Sequence, residues 1–174
     1  MGKIILILGG ARSGKSTYAL ELAKKYKKVA FIATCQGLDK EMRERIKLHK
    51  ETRPKHWKTF EEPLELAKLL GRMNKGFDCI LIDCLTLLVS NLILSGESQE
   101  QVLNKIKGIL AALREIEAKI ILVSNEVGLG IVPDNKLGRV FRDIAGKANQ
   151  LIAKEAQEVY FAVSGIPMKI KGER

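Results

Sequence analysis

Gly9-Gly10-Ala11-Arg12-Ser13-Gly14-Lys15-Ser16 constrains this chain more than any other stretch. An apolar run, Ile4-Ile5-Leu6-Ile7-Leu8, precedes it, and a helical pattern, Thr17-Tyr18-Ala19-Leu20-Glu21-Leu22-Ala23, follows. The spacing is G-x-x-x-x-G-K-[ST] in the strand–loop–helix setting that such a phosphate-binding loop requires. Glycines allow backbone conformations that side chains forbid, so several N–H groups can close around one phosphate. The helix N-terminus behind them adds a dipole that favours negative charge. Lys15 is placed to reach the β and γ phosphate oxygens, and Ser16 to ligate Mg²⁺.

The rest of the chain fits that start. Apolar runs at 3–8, 29–33, 78–83, 120–124 and 159–163 read as buried strands, with a shorter one at 57–60. Helical patterns occupy 14–26, 39–51, 99–118 and 137–156. Asp39 is suited to cap the second of these, and Pro54 halts it. Pro63 is expected to open a further helix through Leu70. The apolar segment 84–94 is assigned to helix, and 125–136 to a loop. Continuous apolar strands alternating with helices imply a mostly parallel sheet covered on both faces. The expected fold is therefore α/β and P-loop NTPase-type, a mostly parallel β-sheet flanked by helices. It forms a single nucleotide-binding catalytic domain over residues 1–174. Ligands should gather at the C-terminal ends of the strands.

Composition narrows the partners. The net charge of +10 reads as a Lys-rich solvated surface combined with nucleotide binding. Its lysines and arginines are spread along the chain with no dense basic block, so nucleotides are favoured over nucleic acid. The three cysteines, Cys35, Cys79 and Cys84, show no zinc-site spacing, and their odd number argues against a disulfide framework. Cys79 sits in an apolar run and reads as core. A cytoplasmic setting is expected, with no signal peptide and no membrane span, because Cys79 to Leu94 is too short and carries Asp83.

Several residues could carry chemistry. Asp83 ends an apolar strand, the pattern that places a carboxylate near a nucleotide's Mg²⁺. Asn125-Glu126 ends the next apolar strand, where substrate contact and plain turn chemistry are both open. His49 extends a helical stripe with Met42 and Ile46, which on its own indicates an inward-facing core histidine. His56, beside Trp57, reads as structural or surface. Asn135-Lys136-Leu137-Gly138 resembles a guanine-reading N-K-x-D element but lacks the acidic residue. These residues alone leave room for a nucleic-acid-associated P-loop ATPase, or for a small-metabolite kinase without nucleotidyl transfer.

Further pieces make the pattern more specific. They are Ile32-Ala33-Thr34; Glu41-Met42 through Arg45-Ile46, His49-Lys50, Arg53-Pro54 and His56-Trp57; Asn125-Glu126-Val127-Gly128 with Gly130-Ile131-Val132-Pro133; Phe141-Arg142-Asp143-Ile144-Ala145-Gly146; and Val163-Ser164-Gly165-Ile166. With the P-loop they resemble, over nearly the whole chain, the bifunctional adenosylcobinamide kinase / adenosylcobinamide-phosphate guanylyltransferase family of cobalamin assembly. The resemblance implies phosphorylation of adenosylcobinamide by ATP or GTP. Transfer of GMP from GTP onto the new phosphate follows, with Mg²⁺ as cofactor. It implies that His49 is the nucleophile, carrying GMP as a covalent intermediate, which reverses the core reading of that residue. It also implies nucleotide contacts at Gly9 to Ser16, at Thr34, Cys35 and Gln36, at Lys50, Glu51, Thr52 and Arg53, at Glu61 or Glu62, and at Asp83. Ser16 and Asp83 are the implied metal ligands, and the implied assembly is a homo-oligomer, a trimer. Some relatives carry two adjacent histidines where this chain has Leu48-His49. The strand carboxylate can be Glu in relatives and is Asp83 here.

Overall fold

Strand β1 (Ile4–Gly9) leads through the P-loop into helix α1 (Lys15–Ala23). After β2 (Val29–Ala33) come α2 (Lys40–Glu51), β3 (Lys58–Glu61), α3 (Leu66–Gly71), β4 (Cys79–Asp83) and α4 (Leu85–Leu94). Then follow α5 (Gln99–Arg114), β5 (Lys119–Asn125), a 3₁₀ turn (Val127–Leu129), α6 (Lys136–Glu155), β6 (Glu158–Val163) and β7 (Ile166–Lys171). The computed structural model describes residues 2–37, 40–73 and 76–173, without the side chains of Glu41, Met42, Arg45, Leu48 and His49. The expected Asp39 cap and the Met42 and His49 positions of the stripe therefore lie outside the described residues. Of the rest of that helix, Ile46 is half-buried and no described side chain is fully buried.

Among the described residues, seven strands join one sheet in the order β3-β2-β4-β5-β1-β6-β7. Six run parallel, and β7 returns antiparallel to β6. Alternation along each strand sends side chains to two cores. Ile4, Leu6, Ile32, Ile80, Ile82, Ile120 and Leu122 pack beneath α3 to α6. Ile5, Ile7, Phe31, Leu81, Ile121 and Val123 pack against Ala19 and Ala23 of α1 and against Trp57. Both faces being covered explains why β1, β2 and β4 read as unbroken apolar runs.

The structure corrects three expectations. First, Pro63 does not open a helix: α3 begins at Leu66. The Glu62 carboxylate instead accepts hydrogen bonds from the N–H groups of Leu64 (3.1 Å) and Glu65 (2.8 Å), holding Pro63 in a turn. Second, α5 stops at Arg114, short of residue 118, so that Ile116 can turn into the core. Its start is sharply defined by a capping box between Ser98 and Gln101. Third, β7 was not expected. Ser164 (φ 51°) and Gly165 (φ 83°) make the two-residue turn that closes a hairpin. The strand after it is exposed and short of core contacts, with Pro167, Lys169 and Lys171 discouraging further pairing at the edge. The ambiguous segment 84–94 does form helix α4.

Candidate functional site

The sheet order determines what meets at its C-terminal edge. β5 lies between β1, which carries the P-loop, and β4, which carries Asp83. Register places Gly9 opposite Asn125, Asp83 opposite Val123 and Ala33, and Ala33 opposite Glu61. Since Phe31, Leu81 and Val123 face α1, alternation turns Asp83, Asn125, Ala33 and Glu61 to the same side. That side is where the P-loop and the N-terminus of α1 sit.

Gly14 shows why the loop is built as it is. It takes φ 91°, and a Cβ there would lie 2.8 Å from the Cα of Gly165. The Gly165 N–H donates to the Ser13 carbonyl at 3.0 Å, so the β6–β7 turn buttresses the P-loop from behind. Val163-Ser164-Gly165-Ile166 thus has a structural reason to accompany the loop motif. Lys15 is 9 % exposed, and its ammonium donates to the Gly10 carbonyl at 2.8 Å. Burial lowers its pKa from the ordinary lysine value, and the negative charge of Asp83 works against that shift.

Across the edge, Arg53 lies over the Phe31 ring, its guanidinium carbon 3.6 Å from the centroid. Burial lowers its pKa, while Asp83 and Glu61 favour its charge. Lys50 pairs with Glu61 at 2.6 Å. These contacts separate the two candidate glutamates. Glu61 joins the charged cluster, whereas Glu62 serves the turn before α3. Among the described residues, four buried polar atoms lack a hydrogen-bond partner: Ser13 Oγ, Arg53 Nη1, Trp57 Nε1 and Asn125 Oδ1. Native folds rarely leave such atoms orphaned. Ser13 belongs to the P-loop and Asn125 ends the strand beside it, while the Arg53 guanidinium is one that an anion would satisfy.

Not every implied contact presents a free group. Thr34 is fully buried. Its N–H donates to the Asp83 carbonyl at 3.2 Å, its hydroxyl exchanges bonds with the Cys84 backbone (2.7 and 2.8 Å), and its carbonyl accepts from Asn91 at 2.7 Å. It ties the ends of β2 and β4 together, and Cys35 and Gln36 beyond it are the half-exposed part of that loop. Glu51 and Thr52 are exposed where α2 ends. Ala11 and Arg12 are exposed in the P-loop, and Ser16 is half-buried on the first turn of α1. Cys84 is buried, and burial pushes its thiol up to about 12, so it stays protonated at neutral pH. Cys79 is core and is pushed up likewise, to about 12. His56 is exposed, and the side chain of His49 lies outside the described residues. Asn135, from the run resembling a guanine reader, caps α6 by accepting the Gly138 N–H at 2.7 Å.

Residues 5–170 match the model of the family described as cobinamide kinase / cobinamide phosphate guanyltransferase. The chain belongs to that family. Its sequence is 43 % identical over 180 residues to the bifunctional adenosylcobalamin biosynthesis protein CobU of Escherichia coli (strain K12), covering 97 % of this chain and 99 % of the relative. It is 47 % identical over 169 residues to the bifunctional adenosylcobalamin biosynthesis protein CobP of Pseudomonas aeruginosa, covering 97 % of both. Among solved structures, a prototypical ATPase from the type III secretion system of pathogenic bacteria shares the fold at a TM-score of 0.50 and 12 % identity, over 92 % of this chain and 51 % of that one. As a member of the cobinamide kinase / guanyltransferase family the chain has one feature that sequence reasoning left undecided. A buried hydrogen-bonded set, Thr86, Ser124 and Asn149, surrounds Asn125. The only sequence signal for it is polar residues standing inside apolar or amphipathic runs.

Proposed function

We propose that this chain performs two consecutive transfers. The γ-phosphoryl group of a nucleoside triphosphate passes to the aminopropanol hydroxyl of adenosylcobinamide. GMP from GTP then passes to that phosphate, giving adenosylcobinamide-GDP and pyrophosphate. The observation that supports this most directly is the convergence, in a member of this family, of Lys15, Arg53, Lys50, Glu61 and Asp83 on one sheet edge around a P-loop. A cationic edge of this kind neutralises the triphosphate, and little more than positioning and charge stabilisation is needed for phosphoryl transfer. In the second transfer His49 attacks the α-phosphorus, a P–N bond forms and pyrophosphate leaves. The corrinoid phosphate then displaces the imidazole. Incubation with adenosylcobinamide and ATP or GTP, followed by mass measurement of the corrinoid, tests the reading. Sequential gain of phosphate and then GMP is expected, and a corrinoid that gains neither refutes it.

The cation in this reading is Mg²⁺. Ser16 and Asp83 supply hard oxygen donors at the phosphate-binding edge, which suits it. No group of three or more His, Cys, Asp or Glu side chains is placed to hold a metal among the described residues, so phosphate oxygens would complete the donor set. When bound it would neutralise charge on the β and γ oxygens. Asp83→Asn is therefore expected to slow both transfers by about tenfold to a hundredfold and to raise the Mg²⁺ concentration needed for half-maximal rate. An unchanged Mg²⁺ titration would remove Asp83 from this role.

No described helix is long and apolar enough to cross a membrane, and the proposed setting is the cytoplasm. The proposed assembly is a homotrimer. Leu129, Ile131, Val132 and Leu137 are exposed around one loop, an apolar patch that a subunit contact would cover. Light scattering that gives the mass of a monomer would contradict it.

A further inference from the structure

Asn125 closes β5, the strand that the sheet inserts between the P-loop strand and the Asp83 strand. Its side chain shares the α1 face with Val123, while Ser124 turns to the opposite helices and donates to Asn149 Oδ1 at 2.7 Å. The Asn125 backbone is pinned from both sides. Its N–H donates to Thr86 Oγ1 at 2.6 Å, and its carbonyl accepts from Asn149 Nδ2 at 3.0 Å. Thr86 and Ser124 share a hydrogen bond at 3.0 Å, so the three side chains form one brace. All are buried, at 4 %, 1 % and 4 % exposure for Thr86, Ser124 and Asn149. A buried polar network of this kind rigidifies what it holds. Yet the residue it holds has an orphaned, buried Oδ1, and its register partner on the neighbouring strand is Gly9, the first residue of the P-loop, where a Cβ would collide with Ser13 Oγ, another orphan.

We propose that the Asn125 carboxamide is a catalytic contact in the phosphoryl-transfer step, with Thr86, Ser124 and Asn149 as its positioning brace. This rests on the reading under Proposed function. The carboxamide offers both a donor and an acceptor. Nδ2 donates to an oxygen of the terminal phosphoryl group, which Lys15 holds, and Oδ1 accepts from the hydroxyl of the incoming alcohol. The bond from the γ-phosphorus to its bridging oxygen breaks, the new P–O bond to the alcohol forms, and the alcohol's proton passes to bulk water. A neutral amide takes no proton, so Asn125 aligns the acceptor and stabilises charge without adding a titration. Attack at the α-phosphorus, farther along the nucleotide, does not use this contact.

The test compares phosphorylation of adenosylcobinamide with covalent labelling of the protein by GTP carrying its label in the α-phosphate. Asn125→Ala should lower kcat for phosphorylation about a hundredfold, as for loss of a preorganised hydrogen bond. KM for the nucleotide, the shape of the pH–rate profile and the α-phosphate label should each stay within about threefold of wild type. Asn125→Ser, which restores a small donor and acceptor, should recover part of the phosphorylation rate. Phosphorylation by Asn125→Ala at the wild-type rate would overturn the proposal. So would phosphorylation and labelling falling together, because that marks a general distortion of the edge. Wild-type protein that modifies no corrinoid would overturn the parent reading, and this one with it, before any variant is made.

Discussion

Lys15→Ala should slow both phosphorylation of adenosylcobinamide and guanylyl transfer by about a hundredfold or more, the typical cost of losing a preorganised charge at a reacting phosphate. The expectation follows from there being a single P-loop, at Gly9 to Ser16, so that one ammonium serves both reactions. In the proposed first transfer it would face the group being transferred, and in the second the pyrophosphate that leaves. Lys15 is nearly enclosed, held to the Gly10 carbonyl, and burial already disfavours its charge. Removing it relieves that desolvation cost but also loses the bond to the Gly10 carbonyl, so the thermal midpoint should move little even as activity collapses. That combination separates lost chemistry from lost folding. Initial rates of both transfers, measured beside a melting curve, check it. Normal guanylyl transfer by the variant would mean that a second nucleotide site exists.

The parts of this fold that were legible in the sequence are those with a local cause. β1, β2, β4 and β5 are buried on both faces, so they write themselves as apolar runs. The P-loop is legible because its spacing follows from backbone geometry around a phosphate. Elements at the rim were harder. The exposed β7 alternates only weakly, and its clearest mark in the sequence is the two-residue Ser164-Gly165 turn. Pro63 suggested a helix start by its usual preference, but a side chain two hydrogen bonds strong, Glu62, claims that stretch for a turn.

The site divides in the same way. Its candidate residues could be proposed one at a time, but their arrangement depends on strand order, which is a long-range property. Nothing local says that β5 stands between β1 and β4, and so nothing local decides whether Asn125 is a turn residue or a neighbour of the phosphate loop. That Glu61 pairs with Lys50 at the sheet edge while Glu62 binds the turn before α3 likewise depends on contacts that the sequence does not show. Thr34 shows the opposite case. The family resemblance implies a nucleotide contact there, and the structure adds that burial and four internal bonds make Thr34 a tie between strands.

His49→Ala should abolish covalent GMP on the protein while leaving phosphorylation of adenosylcobinamide within about threefold, because γ-transfer needs positioning and charge neutralisation but no such nucleophile. His49 lies in α2 directly before Lys50, whose ammonium pairs with Glu61 at the nucleotide edge, and Arg53 beyond it lies over Phe31 at the same edge. The chain has only two histidines, and the other, His56, is exposed in a separate turn. His56→Ala should therefore still be labelled. GTP labelled at the α-phosphate should mark the wild-type protein, and GTP labelled at the γ-phosphate should not, since the γ-phosphate leaves with pyrophosphate. A phosphoramidate should be lost in acid and survive base, unlike a serine ester. Only a neutral imidazole has the free nitrogen lone pair that attack on phosphorus requires. The measurements are intact mass after GTP and Mg²⁺, and label retained after acid and base treatment. An acid-labile GMP adduct on His49→Ala, or none on wild type, would place the nucleophile elsewhere or remove it.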